Sequence, residues 1–186
     1  EGLLRRHQLD RYAASLNVSP SFLDDHVQLE LNSRFVHTDN FFADQGAIWA
    51  SAQFDPTKPI LSGDTAYGGY YETLFAAGGN AGRPIPLAIR NPLGLIEQKE
   101  DVSDVNRFIG NARVTYNTHF LDGLKAVVNV GTDIVNSNGT VLIPHTAASN
   151  FQNGGYQTQY DMEKSNQLIE GFLNYSNADQ GGDHRL

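Results

Sequence analysis

A chain of 186 residues with 13 Lys+Arg against 21 Asp+Glu, net −8, lacks the clustered cations that phosphate-backbone binding needs, so no nucleic-acid partner is expected. The absence of cysteine excludes a disulfide scaffold, a thiolate zinc site and a cysteine nucleophile. No run approaches the roughly 20 apolar residues of a spanning helix, while eight Tyr and ten Phe argue against simple disorder. The chain opens on Glu1-Gly2-Leu3 with neither an initiator Met nor a signal-type apolar stretch, so missing upstream sequence is expected.

In chain order, the informative pattern has period two. Tyr12, Ala14, Leu16 and Val18 alternate with Ser15, Asn17 and Ser19, which predicts a strand over about 10–19. After a break at Pro20–Asp25, Val27, Leu29, Leu31 and Phe35 share a face opposite Gln28, Glu30 and Asn32, which predicts a second strand over 26–38 and a hairpin. A long loop over 39–104 follows, with five of the seven prolines and eight of the eighteen glycines. Within it, 43–53 and 93–99 read as short helices, the latter capped by Asn91 with Pro92 at its first turn. Strands three and four, over 105–120 and 124–136, flank an Asp122-Gly123 turn. Phe108, Ala112, Val114 and Tyr116 oppose Asn111, Arg113, Asn117 and His119, and Val128 and Val130 oppose Lys125 and Asn129. A loop over 137–157 leads to a fifth strand over 158–176, and a turn at Asn177–Asp183 would start a sixth at His184.

The fifteen residues from Asn106 to Phe120 exceed the usual strand, whereas about 9–11 tilted residues cross a bilayer core. Alternation with aromatics near the strand ends, short turns on one side and long connections on the other fit an all-β, antiparallel transmembrane barrel. A soluble sandwich or β-solenoid alternates equally well, so alternation alone leaves the three open.

No HExxH, GxSxG or EF-hand pattern is present, and Arg83-Pro84 after the Gly78–Gly82 run excludes a P-loop. The six histidines lack metal-ligand spacing. The expectation is therefore no enzyme, no catalytic residue, no metal and no cofactor. In the long loop, Trp49, Tyr67, Tyr70 and Tyr71 are candidate ligand contacts, with Asp64 and Glu72 as nearby carboxylates; packing of a loop this large is the weightier use for the aromatics.

Six stretches, in order, resemble SusC/RagA-type TonB-dependent transporters. They are Ser19-Pro20-Ser21-Phe22-Leu23-Asp24-Asp25-His26, Phe54-Asp55-Pro56-Thr57-Lys58-Pro59, Arg90–Gln98, Asp104–Asn111, Leu121-Asp122-Gly123-Leu124-Lys125-Ala126 and Asn166-Gln167-Leu168-Ile169-Glu170. The resemblance implies an internal barrel segment of about five to six strands from a bacterial outer-membrane protein of Bacteroidetes type, with plug and TonB box absent. It implies import of oligosaccharides, or peptides in some members, driven by TonB, with a SusD-like surface lipoprotein as partner. On that reading the apolar faces meet outer-membrane lipid. Gln28, Glu30, Asn111, Arg113, Asn117, Lys125 and Asn129 face the lumen, and the 39–104 loop stands outside the cell. The competing readings are a soluble β-rich glycan-binding or adhesion module and a polysaccharide-processing enzyme.

Overall fold

The computed structural model describes residues 4–176. The turn and sixth strand expected beyond Ser176 lie outside the described residues. Six strands are formed: β1 (Gln8–Val18), β2 (Ser21–Phe22), β3 (Val27–Phe41), β4 (Glu100–Asn117), β5 (Leu124–Ile143) and β6 (Tyr156–Tyr175). They lie in one sheet in the order β1-β3-β4-β5-β6, with β2 paired to β3 (Ser21 opposite Gln28, Phe22 opposite Val27). The path ends at β1 and β6, so the sheet is open, as a portion of an antiparallel barrel would be.

Several boundaries differ from the sequence expectation for physical reasons. β4 stops at Asn117 instead of Phe120, because the buried Thr118 turns back. Its N–H donates to Leu124 O at 3.1 Å and its hydroxyl to Leu121 O at 2.8 Å, which leaves His119 and Phe120 outside the ladder. Gly123 completes this turn at φ +84°. β5 continues past Asn136 to Ile143. Gly139 hides the continuation, since it contributes no side chain to the alternation; the ring of Tyr160 from β6 fills that space. Pro144, unable to donate to the ladder, follows directly. The loop thus shortens to 144–155, with a 3-10 segment at Ala148–Asn153. The β2–β3 hairpin turns through three consecutive left-handed residues, Leu23, Asp24 and Asp25, at φ 55°, 53° and 67°.

The chain divides into two compact units. One comprises 11–37, 105–136 and 162–186, the alternating stretches. Among its described residues only Val36 and Val127 are buried hydrophobics, while Tyr12, Leu16, Phe108, Val128 and Val130 are exposed. The opposite face is knitted by polar side chains. Asn111 Nδ2 donates to Asn129 Oδ1 at 2.6 Å, Asn129 Nδ2 donates to Glu170 Oε2 at 3.2 Å, and Arg107 makes a two-pronged pair with Asp133 at 2.9 and 2.7 Å. Among the described residues the apolar face is thus largely open, while the polar face is hydrogen-bonded along the sheet.

The other unit comprises 1–10, 38–104 and 137–161. Here α1 (Gly46–Gln53) packs on α2 (Pro92–Gln98), burying Ala43, Ala47 and Ala50. Gly94 lets Tyr70 lie close on α2: a Cβ there would stand 3.3 Å from the Tyr70 ring. Arg6 closes the far end of α2, donating to Glu97 O at 2.8 Å, and its guanidinium lies 4.7 Å from the Phe41 ring centroid.

Candidate functional site

The insertion between β3 and β4 holds most of the candidate ligand residues, and Asn91 organises it. This residue is fully buried just before α2. Its Oδ1 accepts from Leu93 N at 3.0 Å and Gly94 N at 3.1 Å, the N-cap its sequence predicts. Its Nδ2 donates to Ile60 O at 2.7 Å and Tyr71 O at 3.2 Å, which ties the start of α2 to two loop segments already bridged to each other at Leu61 and Tyr70. Its backbone N–H donates to Glu72 Oε1 at 3.1 Å.

Glu72 therefore faces inward. Its side chain is almost wholly buried, pairs with Arg90 at 3.5 Å, and is engaged by the Asn91 N–H. Burial pushes its carboxyl above the usual carboxylate range, opposed by the Asn91 hydrogen bond and the Arg90 charge. A carboxyl raised on folding stabilises most at pH below its unfolded value and loses that contribution as pH rises through its folded value. The stability of wild type relative to Glu72→Gln should thus fall as pH is raised from about 4 to 7, read by urea titration of insertion proteolysis. A flat difference across that window would refute the inward, desolvated carboxyl. Asp55, held below its usual range mainly by the Thr57 hydroxyl and N–H, carries the opposite sign but is common to both proteins and cancels.

The other loop candidates divide between packing and exposure. Tyr71 meets Phe54 edge-on at 6.3 Å, and Tyr70 lies on Gly94. Tyr67, itself left-handed at φ 54°, donates its hydroxyl to Gly82 O at 3.0 Å and meets Phe151 edge-on at 6.3 Å. Asp64 is exposed and accepts from Ala66 N at 3.0 Å. Trp49 stands on the outside of α1, 73% exposed. Trp49 and Asp64 are thus left open to a ligand, whereas Tyr70, Tyr71 and Glu72 chiefly build the insertion.

On the strands, Asn111 and Asn129 share the polar network described above, and Gln28, Glu30, Arg113 and Lys125 are exposed. Asn117 ends β4 beside the β2–β3 turn. Its backbone N–H donates to His26 O at 2.7 Å and its Nδ2 to Asp25 O at 3.0 Å, so it clamps the β2–β3 turn. His26 and His119 are stacked at that turn with centroids 3.7 Å apart. Sequence spacing held no signal for this pair, because β4 brings them together from distant positions.

No family model matches the chain. The TonB-dependent receptor SusC of Bacteroides thetaiotaomicron is 31% identical to it over 170 residues, which cover 86% of this chain. The chain spans only 17% of that relative's length. The match takes in all but 14% of the chain, and it agrees with an open antiparallel sheet whose apolar face is exposed among the described residues. By sequence this chain is a SusC-like fragment, and its open, antiparallel sheet is consistent with a segment of a barrel.

Proposed function

We propose that this chain forms part of the wall and outer rim of a TonB-dependent outer-membrane receptor that imports oligosaccharides. The observation that carries this reading is the sheet with one exposed apolar face and one hydrogen-bonded polar face, which suits lipid outside and a wet lumen inside. A soluble sandwich would cover that apolar face with a second sheet. A SusD-like surface lipoprotein is the partner that would close over the rim, and TonB the energy source. In the insertion, exposed Trp49 and Asp64 supply an aromatic face and a carboxylate of the kind sugars engage.

The test is uptake of labelled oligosaccharides by cells with and without the receptor, in TonB-competent and TonB-deficient backgrounds. Uptake that needs both supports the reading. Receptor-dependent uptake of peptides alone would replace the substrate class, and receptor-dependent uptake indifferent to TonB would refute the mechanism.

A further inference from the structure

A cleft in the insertion unit has a chemistry unlike its surroundings. It encloses ≈620 Å³ between the rings of Tyr67, Phe75 and Phe151, with Asn80, Arg83 and Gln152 on its walls and no carboxylate in its lining. The unit around it is strongly acidic, with nine Asp and Glu against four Lys and Arg between residues 39 and 104 alone. Its other cations are already matched. Arg5 and Arg6 pair with Glu97, Arg90 with Glu72 and Lys99 with Asp101, while Lys58 lies in the field of Asp55. Among the described residues, the Arg83 guanidinium has no hydrogen-bond or ion-pair partner, and it is exposed at the cleft.

Arg83 is also held in place by its backbone. Phe75 N donates to Arg83 O at 2.9 Å, Gly82 N to Phe75 O at 2.9 Å and Arg83 N to Asn80 O at 2.9 Å, around the bridge between Leu74 and Pro84. The Tyr67 hydroxyl fastens the same turn through Gly82 O. A guanidinium fork offers paired donors to a carboxylate, aromatic faces cover the C–H face of a pyranose, and side-chain amides serve hydroxyls. Surrounding acidic residues repel an anion everywhere except where a cation stands unmatched.

We infer that this cleft is a subsite for an acidic sugar unit, a uronic acid whose carboxylate is taken by Arg83 while its ring lies against Tyr67, Phe75 or Phe151. This deepens the oligosaccharide reading above and rests on it. The experiment is equilibrium binding to the receptor purified from outer membranes in detergent. The probes are uronate-containing oligosaccharides, neutral oligosaccharides of equal length, and peptides with a free carboxyl terminus. The expected result is at least tenfold tighter binding of the uronate oligomer than of its neutral counterpart. Arg83→Ala should abolish that preference, Arg83→Lys should keep part of it, and Phe151→Ala should weaken both saccharides. Because Arg83 is exposed, receptor yield should not change. Equal binding of uronate and neutral oligomers, or a preference that survives Arg83→Ala, overturns this inference and leaves the oligosaccharide reading standing. Binding of the peptides with no saccharide bound at all overturns both.

Discussion

Replacing Asn91 with Ala should collapse the insertion while leaving the strands folded. The change removes the N-cap of α2, a loss of about 1 kcal/mol. It also strips the side-chain donor from Tyr71 O, and a buried group left unpaired costs about 1–3 kcal/mol, whereas Ile60 O keeps its bond from Tyr71 N, for a total of about 2–4 kcal/mol. Asn91→Asp separates the two contributions. It keeps the acceptor for Leu93 N and Gly94 N but sets a carboxylate oxygen against the two carbonyls, so it should do at least as much harm as Ala. Hydrogen exchange on the purified receptor reads the outcome. Protection should fall across 60–98 while the amides of β4 and β5 keep theirs. Unchanged exchange at Leu93 and Gly94 in the Ala variant would show that the cap and the two donor bonds do not hold this loop.

The contrast between α2 and Glu72 shows what kind of information the chain carries on its surface. Asn91-Pro92 marks the start of α2 because cap and first turn are local chemistry, and the helix stands at Pro92–Gln98 as that chemistry requires. The fate of Glu72 depends on Arg90 and the Asn91 N–H, brought to it by a loop fold that no short-range pattern encodes. The same holds for Arg83: with Pro84 it excludes a P-loop at the Gly78–Gly82 run, but the cleft needs Phe151 from another loop and the Leu74–Pro84 bridge. On the strands, period two is legible wherever side chains alternate and fades where a glycine stands in for one. That is why β5 outruns its expected end across Gly139, with Tyr160 supplying the missing bulk from the neighbouring strand. Asn111 and Asn129 are legible as polar faces, but their network with Glu170 is not, since register decides which amide meets which partner.

Register and face also yield the test of the membrane reading. Val128 and Asn129 are neighbours on β5 that point to opposite faces, Val128 47% exposed on the apolar side and Asn129 bonded to Asn111 and Glu170 on the polar side. In a barrel, Val128→Arg places a cation in hydrocarbon and should cost about 2–4 kcal/mol near the midplane. Asn129→Arg places the same cation beside Glu170 in a wet lumen and should cost less than about 1 kcal/mol. Outer-membrane yield and urea unfolding in vesicles should therefore drop sharply for the first and little for the second. A buried sandwich core would also reject Val128→Arg, so the decisive measurement uses tryptophans at the same two positions in vesicles with brominated acyl chains. Fluorescence at 128 should be quenched by the bromines and fluorescence at 129 should not. Quenching at neither position would place the apolar face against protein, and the barrel assignment would fall with it.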